Sequence, residues 1–308
     1  YQHTGTFDLP VLLDKLKTTN PLDSGQQFWL FLAFTLSFAI KVPLFPFHTW
    51  LPDAHVQAPT AGSVVLAGVL LKMGTYGILR FAIPLFPEAA FDLQSMMCWL
   101  SIIGIIFGAC MALVQNDIKK LIAYSSVSHL GFVVLACFIP NLKSLTGAVL
   151  QMVNHGLSTG MLFLMIGIIY ERRHTRELAD YGGICKVVPL FSIFFLIAVL
   201  SSIGLPGLNG FVGEFLLLYG VFSSVPLWGI LASTGVVLGA LYMLNMVKKF
   251  LFGPLVHSEN SDISDLNTRE VIYLLPFVAM MIWLGLYPAP FIKLVQPTLT
   301  LYVEMLKN

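Results

Sequence analysis

Apolar windows of about 20 residues recur along this chain, at roughly 62–85, 95–115, 118–139, 144–170, 228–251 and 270–289. At 1.5 Å per residue, such a window as a helix matches the roughly 30 Å hydrocarbon core of a bilayer. The windows are too long and too unbroken for outer-membrane strands, which alternate apolar and polar residues. Composition agrees: 57% of the 308 residues are hydrophobic and only 11% are charged, against about 25% charged in soluble domains. The mean hydropathy is +0.83. The sequence therefore predicts an all-α polytopic membrane protein.

Two longer stretches, 26–58 and 187–225, exceed one span, since each would be roughly 50 Å long as a continuous helix. The first carries Pro43 and Pro46 and the second Gly204, Pro206, Gly207 and Gly210. Each is either two helices joined by a tight turn or one span interrupted at membrane depth. Interruption frees backbone amides and carbonyls and is tolerable only where protein or a water-filled cavity surrounds them. Counting each as one interrupted span gives about eight spans. Lys119, Lys120, Arg172, Arg173, Arg176, Lys186, Lys248, Lys249 and Arg269 then fall on one side, and Arg80, Lys143, Lys293 and Lys307 on the other. The cation-rich side is expected to be cytoplasmic or matrix. The division read from the sequence is an interfacial amphipathic segment at 1–23, a transmembrane bundle at 24–290 and a tail at 291–308. A start at Tyr1 rather than Met predicts a fragment lacking an N-terminal part.

A charge at the bilayer centre costs at least about 2.5–3.5 kcal/mol, so each ionisable residue there is a functional candidate. Five qualify: Lys41 just before the Pro43 break, Lys72, His129 and His155 near mid-span, and Glu214 after the Gly/Pro break. Lysine, histidine and carboxylate together form a set able to pass protons, because burial disfavours the charged form of each. Hydroxyl and amide neighbours (Tyr124, Ser125, Ser126 and Ser128; Gln151, Asn154, Ser158 and Thr159) suit the holding of ordered water. Structural alternatives stand beside each residue: Lys41, and less readily the mid-span Lys72, snorkels to an interface, the histidines satisfy helix packing, or Glu214 is the buried partner of a lysine.

Weaker candidates are His48, Asp53 and His55, for a metal, for proton uptake, or with Asp53 as a helix cap; Lys119 and Lys120 read as interfacial anchors. Cys98, Cys110, Cys137 and Cys185 lack CxxC spacing and suggest neither a disulfide framework nor a metal site. No GxGxxG or P-loop pattern is present. A nucleotide, redox-centre, metal or nucleic-acid function is therefore not expected of this chain.

Four motifs carry a resemblance: "FAIKVPLFPFHTWLPDAHVQAPTAGSVVLAGVLLKMGTYGILRF" (38–81), "DIKKLIAYSSVSHLGFV" (117–133), "YERRHTRE" (170–177) and "GLPGLNGFVGEF" (204–215). The chain resembles the antiporter-like membrane subunits of proton-pumping NADH:quinone oxidoreductase, respiratory complex I, in particular the M type, mitochondrial type 4. The resemblance implies that Lys41, Lys72 and Glu214 are the lysines and the acidic residue of a proton path, with His129 and then His155 bridging toward the exit. It implies NADH, FMN, Fe–S clusters and quinone in partner subunits and no cofactor here. Implied partners are other membrane-arm subunits, neighbouring antiporter-like subunits included, with membrane lipid and protons. The location would be a bacterial plasma membrane or mitochondrial inner membrane. The family's carboxylate partner of Lys41 lies on an earlier helix, so this polypeptide alone is not expected to pump. Rival expectations are a multi-subunit Na⁺/H⁺ antiporter subunit, a scaffold with degenerate ion sites, and a ferredoxin-driven photosynthetic relative.

Overall fold

A computed structural model describes residues 3–307. Tyr1, Gln2 and Asn308, the ends of the expected flanking segments, lie outside the described residues, as does the side chain of Lys307.

The chain folds as helices in the order α1 (Leu9–Thr18), α2 (Ser24–Lys41), α3 (Trp50–Gln57), α4 (Thr60–Leu85), α5 (Pro87–Asp92), α6 (Gln94–Leu113), α7 (Ile118–Cys137), α8 (Leu142–Arg173), α9 (Pro189–Ser202), α10 (Asn209–Ser224), α11 (Pro226–Phe250), α12 (Thr268–Leu286) and α13 (Ala289–Lys307). Among the described residues six of these, α4, α6, α7, α8, α11 and α12, are long and apolar enough to cross a membrane. The protein is therefore a polytopic helical membrane protein. α7 and α8 form its centre, with 89% and 78% of their apolar windows buried, whereas α12, at 22%, lies at the rim.

Polar residues set the helix starts. Asp23 and Gln26 cap α2 reciprocally, Asn267 and Glu270 do the same for α12, and Asp117 accepts from the amides of Lys119 and Lys120 at the start of α7. Both long stretches are interrupted. Residues 42–49 separate α2 from α3, and residues 203–208, with Gly204 at φ +73° and Gly207 at φ +96°, separate α9 from α10. Left-handed backbone of that kind favours glycine. The freed backbone groups find partners: the Leu44 amide donates to Ala39 at 2.8 Å, and Leu205 to Leu200 at 3.0 Å. The Trp50 indole donates to the Ile40 carbonyl at 2.9 Å.

Two features do not follow from the pattern. α4 contains π-helical turns at Leu66–Leu70 and Ile78–Ala82, on either side of the Lys72 segment. In a segment apolar all round, an inserted residue leaves no break in periodicity to read. The stretch 291–308 lies largely in α13, whose Leu299 and Val303 are buried in the core, and α1 packs Leu9, Leu12, Leu13 and Leu16 on the same core. At this end Lys17 donates to the Met305 carbonyl at 3.4 Å.

The two ends of the bundle differ in charge. Lys143 sits 4.3 Å over the Tyr219 ring at one end of α8. Roughly 45 Å away along that helix, Arg172 pairs with Glu270 (2.5 Å), Arg173 with Glu259 (3.6 Å), Arg176 with Asp117 (3.4 Å) and Lys120 with Asp53 (3.6 Å). Behind these cations Tyr181 donates its hydroxyl to the Thr175 carbonyl at 2.8 Å, and burial pushes its phenol above the ordinary range.

Candidate functional site

Lys72 extends from α4 into the bundle and is buried at 9% exposure. Its ammonium donates to the Ala67 carbonyl, in the π turn before it, and lies 2.6 Å from His155 Nδ1. With Lys72 charged, His155 accepts at Nδ1 and carries its own proton on Nε2, which has no protein partner among the described residues. α8 reaches α4 at this level because both helices are glycine there: a Cβ on Gly156 would stand 2.8 Å from the Gly68 carbonyl oxygen. The neighbouring residue, His155, is thereby brought to Lys72.

The His155 ring lies 5.5 Å, centroid to centroid, from that of His129 on α7. His129 Nδ1 is 3.0 Å from Glu214 Oε1, and Gln151 donates its amide to the same oxygen at 2.9 Å. Glu214 is 5% exposed and His129 6%. On its other nitrogen, His129 has the hydroxyls of Ser202 and Tyr242, each at 3.4 Å. Four of the five predicted residues thus form one buried series: Lys72, His155, His129, Glu214. The expected order of the histidines is reversed. Position along the chain says nothing about which helix touches α4, and α8 rather than α7 supplies the near histidine.

Lys41 is not part of this series. It is half-buried at the end of α2 and makes no ion pair or side-chain hydrogen bond among the described residues. Its helix nevertheless packs on α4 close to Lys72, since a Cβ on Gly74 would lie 2.7 Å from Val42 Cγ2 and 2.9 Å from the Phe38 carbonyl.

The weaker candidates separate. His48 stacks on Phe45 and meets Phe107 edge-on, whereas His55 is fully buried and stacks on Phe163 at 4.4 Å. Asp53 is exposed, pairs with Lys120 and is not the α3 cap, a position taken by Thr49. Lys119 is no surface anchor: it is 6% exposed and donates to the Ala58 carbonyl at 2.8 Å. Cys98 and Cys137 are buried, whereas Cys110 is exposed.

Several expected water-holders bond protein instead. Ser125 and Ser126 donate to the Ile122 carbonyl and Ser128 to that of Ile105. Gln151 reaches Glu214 directly, and Asn154 donates to the Asn209 carbonyl at 2.7 Å. Tyr242, Ser202 and Asn209 join the site without having stood out in the sequence. Their only signal there is a hydroxyl or amide within an apolar run.

The profile of a family described as "NADH:quinone oxidoreductase/Mrp antiporter, TM" matches residues 1–240. NADH-quinone oxidoreductase subunit M of Rhodobacter capsulatus is 48% identical over 283 residues, covering 92% of this chain and 55% of its own length. NADH-ubiquinone oxidoreductase chain 4 of Marchantia polymorpha is 44% identical over 301 residues, covering 98% and 60%. This chain therefore spans somewhat over half the length of the curated relatives it matches. Among solved structures, a chain of respiratory complex I from Thermus thermophilus with bound NADH superposes with TM-score 0.91 at 34% identity, covering 98% of this chain and 63% of that one. A chain of the Mrp complex from Dietzia sp. shares the fold at TM-score 0.82 and 18% identity, with coverages of 97% and 67%.

Proposed function

Because the chain belongs to the NADH:quinone oxidoreductase/Mrp antiporter membrane family, we propose that it is a proton-translocating module of a respiratory complex I membrane arm. The observation that carries this reading is the buried series Lys72, His155, His129 and Glu214, which runs from α4, packed beside the first helix break, to α10 at the second through groups that exchange protons. Residues 24–290 form the translocating bundle, with 1–23 and 291–308 as its flanks. NADH oxidation and quinone reduction, with FMN and Fe–S clusters, belong to partner subunits, and their free energy arrives here as an electrostatic change. The setting is an energy-transducing membrane, bacterial or mitochondrial.

Lys41 is the loading group and Lys72 the central one. When the charge balance around Lys41 shifts, a proton reaches Lys72, whose ammonium already points at His155 Nδ1. Imidazole accepts at one nitrogen and releases from the other, so protonation at Nδ1 frees the Nε2 proton toward His129. A water or a ring rotation completes the step between the two rings. His129 then hands the proton to Glu214 through its 3.0 Å contact. Glu214, which Gln151 holds in place, is the last station within this chain.

The test compares Lys72→Met and Glu214→Gln in the assembled complex, reconstituted in vesicles and driven by NADH. Assembly near normal with proton pumping abolished is the expected result. Normal pumping by either assembled variant would sink the reading. Na⁺-driven proton flux in the same vesicles without NADH would favour the antiporter alternative.

A further inference from the structure

A polar knot that the proton series does not use lies between α8 and the second helix break. Asn209, the first residue of α10, is fully buried, and Asn154 of α8 is 2% exposed. The two bond reciprocally: the Asn154 amide donates to the Asn209 backbone carbonyl at 2.7 Å, and the Asn209 amide donates to Asn154 Oδ1 at 3.2 Å. Ser201, the penultimate residue of α9, donates to Asn209 Oδ1 at 2.5 Å, and so ties together the two sides of the break.

The knot lies beside the proton groups on both helices. Asn154 precedes His155, and Gln151, one turn earlier on α8, donates to Glu214. On α10 the glycine before Glu214 sits directly on this face, since a Cβ at Gly213 would stand 2.7 Å from Asn154 Nδ2. A Cβ at Gly204, within the break, would stand 2.9 Å from Glu214 Oε2. The carboxylate therefore lies between the break and α8, and a slide of α10 by one residue would turn it away from His129. Apolar packing is nondirectional and does not select one register, whereas paired amides bond in one arrangement.

We propose that Asn209, through Asn154 and Ser201, is a positioning residue that holds the second helix break in the register keeping Glu214 against His129. The proposal rests on the proton-transfer reading of Glu214. Asn209 touches none of the proton-carrying atoms and acts only through where it places that carboxylate.

The test uses the complete assembled complex in vesicles, with Asn209→Ala, Asn209→Ser and Ser201→Ala beside Glu214→Gln. Measured are the protons pumped per electron, the pH profile of pumping, and the carboxyl infrared band of Glu214 in redox difference spectra. The expected result is that Asn209→Ala lowers the proton ratio at least twofold, moves the pH midpoint and shifts the carboxyl band, while Asn209→Ser, which keeps a donor, recovers part of each. Wild-type ratio, profile and band in assembled Asn209→Ala would overturn the proposal while Glu214→Gln is inactive. Failure of all three variants to assemble would also overturn it, because the knot would then serve folding alone. Normal pumping by Glu214→Gln overturns the proton-transfer reading instead.

Discussion

Among the described residues Lys72 has no carboxylate partner: its ammonium meets one backbone carbonyl and one imidazole. That is poor compensation for removal from water, and replacing buried charge with an apolar group of similar volume is often neutral or stabilising. Lys72→Met is therefore expected to leave the thermal stability of the purified complex unchanged or to raise it by about 1 kcal/mol while pumping is lost. Differential scanning calorimetry beside the flux assay checks this, and a large loss of stability would mean that the lysine is structural. The order of the histidines makes a second prediction at this scale. His129→Ala removes the contact to Glu214 and should shift that carboxyl's infrared band, whereas His155→Ala isolates Lys72 and should leave the band in place. Each is expected to slow proton transfer about a hundredfold. The opposite infrared pattern would restore the order in which the histidines follow one another in the chain.

Glycines decide how closely the helices meet, and hence whether these side chains reach one another. A Cβ on Gly147 of α8 would press on the backbone of Leu217 in α10, at 2.7 Å from its Cα. Gly147→Val is accordingly expected to lower the stability of the complex by about 3 kcal/mol and to reduce assembly, as seen in the melting temperature of solubilised complex. Gly253 supplies the comparison, because it has φ +99° and a Cβ there would meet nothing within 4 Å. Gly253→Ala should cost only the left-handed strain, about 1 kcal/mol. A similar cost for both substitutions would show that α8–α10 contact is looser than the glycine spacing implies. The π turns of α4 act at this same scale, since the carbonyl of Ala67 within the first of them receives the Lys72 ammonium.

Across the molecule, cations concentrate at one end, where Arg172 and Arg173 at the end of α8 and Arg176 in the loop after it pair with Glu270, Glu259 and Asp117. The Arg172–Glu270 pair is nearly shielded from solvent, with side chains 14% and 13% exposed. Arg172→Ala leaves Glu270 unpaired in a poorly hydrated place and should cost about 3 kcal/mol, detectable as faster limited proteolysis between 174 and 188. Unchanged proteolysis would show that the loop is held by its other contacts. Much of this architecture was determined by the sequence alone. Span length, the breakers at Pro43 and at Gly204–Gly210, and the cation bias follow from properties that each segment has by itself: bilayer thickness, backbone freedom and the cost of charge in hydrocarbon. The five ionisable residues were legible for the same reason, since a charge inside an apolar run stands out without knowledge of its neighbours. Only the tertiary structure decided that His155 rather than His129 meets Lys72, that Lys41 stands apart, that Lys119 turns inward to Ala58, and that Asn154 and Asn209 clasp each other. Those outcomes depend on which helix faces which, and in spans that are apolar on every side the sequence carries no periodic stripe to select a face; glycine contacts and polar pairs between distant segments select it instead.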